Sequence, residues 1–113
     1  MADRTVLDEI AGERRRQIEA EGWTPAHDDK HANAELACAA AAYASHSACF
    51  RDAEECGVDY RTMQPPPEWP WSLEWWKPTD RRRDLIKAGA LIVAEIERID
   101  RADRAAQEAT DAQ

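Results

Sequence analysis

Apolar residues recur at helical spacing in three stretches of the chain, and alternation of the β type is absent. From Asp3 to Glu21, Leu7, Ile10 and Ile18 share one face, with Val6 beside them, and the remainder is largely charged. This predicts a first helix, with Gly22 as its stop signal. Thr24 and Pro25 then suit the cap and first position of a second helix, placed at Asp29 to Phe50. That stretch is rich in alanine and carries Leu36, Ala40, Tyr43 and Ser47 along one stripe. A third helix is expected from about Thr79 to Asp103. Its Leu85, Gly89, Ile92, Ile96 and Ile99 step by four and three, the spacing of a bundle seam, with Ile86 and Val93 beside them.

Between the second and third helices, residues 51–78 follow no period. This stretch holds five of the six prolines and four of the five tryptophans. Loops of this length are usually functional or packed as a lid. The predicted fold class is therefore all-α: a compact three-to-four-helix bundle with a long Pro/Trp-rich loop packed over it. Residues 1–104 are read as a single helical domain, and 105–113 as a frayed polar tail.

With 113 residues, the chain is the size of one domain with a modest core. No apolar run is long enough to span a membrane, and the charged N-terminus lacks the apolar core of a signal peptide. These features predict a cytoplasmic protein. Cys38, Cys49 and Cys56 form no CxxC pair and are expected as small core residues. A net charge of −8 disfavours binding to duplex nucleic acid, yet leaves room for a local site for a small anion.

Three constellations are candidates for chemistry. The first is Arg81, Arg82 and Arg83 at the start of the third helix. Cations there oppose the helix dipole, so an anion is the natural complement. The alternative is pairing with acidic neighbours. The run Arg14-Arg15-Arg16, in mid-helix, is read as a solvated face.

The second is His27-Asp28-Asp29-Lys30-His31 with Glu35. On a continuous helix, His27, His31 and Glu35 would share a face. Two imidazoles and a carboxylate suit a divalent ion such as magnesium or manganese, with Asp28 or Asp29 in support. Alternatively, the aspartates cap the helix and the histidines make ordinary hydrogen bonds.

The third is the tryptophan set: Trp23, then Trp69 and Trp71, then Trp75-Trp76-Lys77. Indoles stack on planar ligands or cover a small core. Trp75, Trp76 and Lys77 immediately precede the arginine-rich helix start. That is an aromatic platform beside a phosphate cradle.

The segments Glu13 to Pro25, His27 to His31 and Glu35 to Ala37 resemble a family of small accessory proteins of tailed bacteriophages and prophages. So do Trp69-Pro70-Trp71, Trp75 to Pro78 and Arg82 to Ile92, ending Ala94 to Arg98. Ala34 stands where that pattern has glycine. The resemblance implies a phage accessory protein acting in the cytoplasm of the bacterial host, and carries no activity with it. In size and helicity the chain is also similar to the MazG-like all-α nucleotide pyrophosphohydrolases. Those hold magnesium on EExxE and ExxD helices. Glu97-Arg98-Ile99-Asp100 fits ExxD, but Asp8-Glu9 is followed by Gly12 where the first motif needs glutamate. The Gly22-Trp23 and Asp28 to His31 elements faintly resemble the ryanodine-receptor-type repeat, a module associated with ligand sensing.

The leading expectation is a binding module for a small anionic, nucleotide-like ligand, with sequestration of a host immune signal as its role. In this reading Trp23, Trp75, Trp76, Lys77 and Arg81 to Arg83 make the contacts. A metal-dependent pyrophosphohydrolase and an acidic protein–protein inhibitor are the alternatives. A homo-oligomer formed through Ala37, Ala40 and Ala41 is also expected.

Overall fold

The computed structural model describes residues 4–112, and every described element is helical. Helix α1 spans Val6–Glu21. Thr5 caps it, its side chain accepting from the Asp8 amide while Asp8 answers to the Thr5 amide. Gly22 ends it in the left-handed region at φ 75°. Helix α2, Pro25–Asp28, is a single turn capped by Thr24. Helix α3 is Glu35–Cys49, and α4 is the short turn Ala53–Cys56. Two 3₁₀ turns follow, Tyr60–Thr62 and Leu73–Trp75. Helix α5, Arg81–Asp111, is 31 residues long and packs against both α3 and α1. Among the described residues, no helix is long and apolar enough to cross a membrane.

The expected second helix is broken. Ala34 lies at φ 68°, a conformation that costs an L-residue about 1–2 kcal/mol. It separates α2 from α3, so His27 and His31 do not share a helix with Glu35. The position where the resembled pattern carries glycine is thus one where glycine would be unstrained.

The α3 stripe packs as expected, with Leu36, Ala40, Tyr43 and Ser47 all buried. Leu36, Ala40 and Tyr43 share one cluster with Ala88, Leu91 and Ala94 of α5 and the ring of Trp76. The seam expected on α5 does not pack. Leu85, Ile92, Ile96 and Ile99 are all about half exposed, and the buried face is instead Asp84, Ile86, Ala88, Leu91, Ala94 and Glu95. Alanine-rich α3 approaches α5 on its small-residue side, which turns the large aliphatics outward. Gly89 is the exception on that seam. A Cβ there would meet Ile10 of α1 at 3.0 Å, so its bare backbone admits the crossing of α1.

Helix α1 departs from its apolar pattern in the same way. Val6 and Leu7 are exposed, whereas Glu13, Arg14 and Gln17 are buried. Arg14, expected on a solvated face, is a polar staple. It donates to Asp28 at 2.6 Å, to the Trp23 carbonyl at 3.1 Å and to Glu97 at 3.3 Å, tying α1 to α2 and α5. Ala40 lies in the core and so cannot serve an outer oligomer face. Cys49 and Cys56, expected inside, are exposed. Helix α5 continues well past Asp103, where its end was expected, and residues 102–112 are exposed.

Candidate functional site

Helices α1 and α5 and the tryptophan loop enclose three adjoining depressions. The first is a box of about 370 Å³ walled by Trp23, Trp69, Trp71 and Trp75, with His27 and His31 on one side. Trp23 is placed by the Gly22 reversal and by its carbonyl bond to Arg14. Trp71 lies 6.0 Å from Trp23 and 5.3 Å from His31, and it meets Trp69 nearly edge to face at 5.4 Å. The Trp69 indole donates to the Ser72 carbonyl at 3.1 Å, which fixes its ring. Trp75 ends the second 3₁₀ turn and is half exposed. His31 Nδ1 lies 3.1 Å from Glu35 Oε2, and this bond holds the Glu35 carboxyl below its ordinary range.

Glu21, Trp23 and Trp75 also line a second, narrower cleft of about 60 Å³. This cleft holds the cations Arg16, Lys77 and Lys87. Lys87 donates to the Lys77 carbonyl at 2.7 Å, sits 3.5 Å from Asp84 and lies over the Tyr43 ring. Burial pulls its ammonium below the ordinary lysine value, only partly offset by Asp84. The Lys77 ammonium lies over the Trp75 ring at 5.5 Å. Arg16 bonds both Glu13 oxygens, at 2.8 and 2.9 Å, and Glu21 at 3.0 Å. Gln17, buried in the wall, donates through Nε2 to Glu13 at 3.2 Å. Its Oε1 is buried without a hydrogen-bond partner among the described residues.

The third depression is an open groove of about 710 Å³ between α1 and the start of α5. Here the two arginine runs meet, with five arginines facing four acidic groups. Arg82 grips Glu9 with two bonds, 2.8 and 2.6 Å, and this holds the Glu9 carboxyl below its ordinary value. Arg83 bonds Glu13. Burial raises the Glu13 carboxyl, but Arg16 and Arg83 together outweigh it and hold it low. Asp80 caps α5 through the Arg83 amide. The dipole conflict read from the sequence is therefore met from within the chain. Arg81 is exposed and lines none of the three depressions.

The expected ligand residues thus divide. Trp23, Trp75 and Lys77 line the box and cleft. Arg82 and Arg83 line the groove with carboxylate partners already in place. Trp76 is core: it stacks on Tyr43 at 4.8 Å and donates to the Met63 carbonyl at 3.0 Å. The expected metal set is not assembled. Asp28 is committed to Arg14, Asp29 to Arg101 at 2.8 Å and Glu35 to His31. Among the described residues, no group of three or more His, Cys, Asp or Glu side chains could hold a metal ion. The ExxD element serves packing too, since Glu97 pairs with Arg14. Sequence reasoning singled out neither Glu21, Gln17 nor Lys87 as site residues. Their signal lay only in helical register, with Gln17 and Glu21 one turn apart on α1.

No protein family, curated protein or solved structure matches the chain.

Proposed function

We propose that this chain is a binding module for a small nucleotide-like ligand, its base in the tryptophan box and its phosphate in the neighbouring cleft. The observation that carries this reading is the continuity of a four-tryptophan box with a cleft holding Arg16, Lys77 and Lys87, joined through Glu21, Trp23 and Trp75. Indole faces bind any planar base, at about 1–3 kcal/mol per stacked ring. Three cations in a narrow cleft bind the anionic end. Such a local site works against a net charge of −8, as short-range contacts can. The phosphate falls to Lys77, which pairs with no carboxylate among the described residues, more naturally than to Arg82 and Arg83, whose charges Glu9 and Glu13 already match.

The role we propose for such a module is sequestering a host nucleotide signal in the bacterial cytoplasm, in keeping with the resemblance to phage accessory proteins. Stoichiometric capture needs no catalytic carboxylate cage. We also propose a homo-oligomer, with the exposed Leu85, Ile92, Ile96 and Ile99 of α5 as its face in place of the alanine face of α3. Their spacing is that of a helix–helix seam.

Titration calorimetry with a panel of mononucleotides tests the binding reading. At least one should bind, and Trp75→Ala should weaken it about tenfold or more. Failure of every nucleotide to bind the parent protein would overturn it.

A further inference from the structure

We infer that the site selects a ribonucleotide over its 2′-deoxy counterpart, through hydrogen-bond acceptors at the junction of box and cleft. This rests on the nucleotide reading above and goes beyond it to the sugar. A nucleotide with its base in the box and its phosphate in the cleft places its ribose where the two meet. The residues common to box and cleft are Glu21, Trp23 and Trp75, and the only side-chain hydrogen-bond acceptor among them is the Glu21 carboxylate. Glu21 is half-exposed and gives one oxygen, Oε1, to Arg16. Its Oε2 is the one a sugar hydroxyl can reach.

Gln17 supplies the second and independent observation. It stands one turn before Glu21 on α1, lines the same cleft and is 2 % exposed. Its amide orientation is set by Glu13, a carboxylate that can accept only from Nε2. That leaves Oε1 buried with no donor among the described residues, a costly condition unless a ligand supplies a hydrogen-bond donor. Side chains one helical turn apart share a face and are long enough to converge on a pair of vicinal hydroxyls, each of which donates one hydrogen. A site built to bond a hydroxyl rejects the analogue that lacks it, because its own polar groups are then left unpaired.

The test compares matched ribonucleoside and 2′-deoxyribonucleoside monophosphates by titration calorimetry on the full chain. In the parent, the deoxy compound should bind about tenfold or more weakly. In Glu21→Gln, which keeps the shape but weakens the acceptor, the ratio should shrink to within about threefold. Gln17→Met, which removes the orphan oxygen at similar volume, should shrink it independently, with circular dichroism confirming the fold. Equal binding of both sugars by the parent would overturn the inference while leaving the nucleotide reading intact. Discrimination that survives in both variants would overturn it as well, since the selecting acceptors would then lie elsewhere. Binding of neither sugar form would refute the nucleotide reading itself.

Discussion

Leu91 and Ile92 are neighbours in sequence with opposite fates, and truncating each separates the observed core from the seam that periodicity suggests. Leu91 is 1 % exposed and packs in the cluster of Leu36, Tyr43 and Ala88. Leu91→Ala removes three buried carbons from a site whose neighbours include rigid rings, so collapse around the hole is limited. The expected cost is about 2–5 kcal/mol. For a domain of this size each kcal/mol moves the midpoint by roughly 4 °C, so Tm should fall by about 8–20 °C. Ile92 is 49 % exposed. Its truncation forfeits about half of a full burial, on the order of 1 kcal/mol. Urea denaturation at low micromolar protein, with thermal melts in parallel, measures both. An Ile92→Ala loss equal to or larger than that of Leu91→Ala would refute the burial pattern and restore the a/d seam as the core. If Ile92 lies in the proposed oligomer face, its variant should also weaken self-association in sedimentation, an effect Leu91→Ala lacks where the fold survives.

Other outcomes follow from single contacts. Asp28→Asn leaves the buried Arg14 guanidinium without its closest counter-charge and should cost about 3–5 kcal/mol by denaturant unfolding, whereas loss of bound metal without loss of stability would favour a ligand role. Ala34→Gly relieves about 1–2 kcal/mol of left-handed strain but adds about 0.4–1 kcal/mol of unfolded-state entropy, so a net gain of up to about 1.5 kcal/mol is expected in a thermal melt. His46 is buried, and burial holds its imidazole below the ordinary 6.5, with Asp84 and the Tyr60 carbonyl opposing weakly. The unfolded chain therefore binds that proton more readily, so stability is full above pH 6.5 and falls as pH drops through it, well above the carboxylate range; a flat denaturation midpoint between pH 7.5 and 5.5 would count against this. Arg82→Gln should leave nucleotide affinity within about twofold while making stability less salt-dependent, because its partner is Glu9 and not the ligand.

Much of the fold was legible where local chemistry and burial agree. The Gly22 reversal, the Thr24–Pro25 helix start and the α3 stripe all follow from short-range rules that tertiary packing does not override. The α5 face was misread because heptad spacing identifies which residues are collinear, and not which side another helix approaches. Small residues decided that: Ala88, Ala90 and Ala94 let α3 come close, and their burial exposes Ile92 and Ile96. Arg14 was illegible for a related reason. A charged residue in mid-helix reads as solvated until its partner from another element is known, and Arg14 takes its partners from α2 and α5. In the candidate site, the tryptophans were visible by composition, but their division was not. Trp75 and Trp76 are adjacent, yet one walls the box and the other stacks on Tyr43 in the core. The acceptors Gln17 and Glu21 gave no sequence signal beyond lying one helical turn apart.

The most direct test of ligand binding in the tryptophan box is the indole N–H region of a ¹⁵N-labelled sample, where five tryptophans give five signals. On titration with the best-binding mononucleotide, the signals of Trp23, Trp71 and Trp75 should shift together along one saturation curve. That of Trp76, bonded to the Met63 carbonyl inside the core, should stay in place. Assignment by single Trp→Phe variants fixes which signal is which. Shifts confined to residues of the arginine groove, with all five indoles unmoved at saturation, would contradict the account.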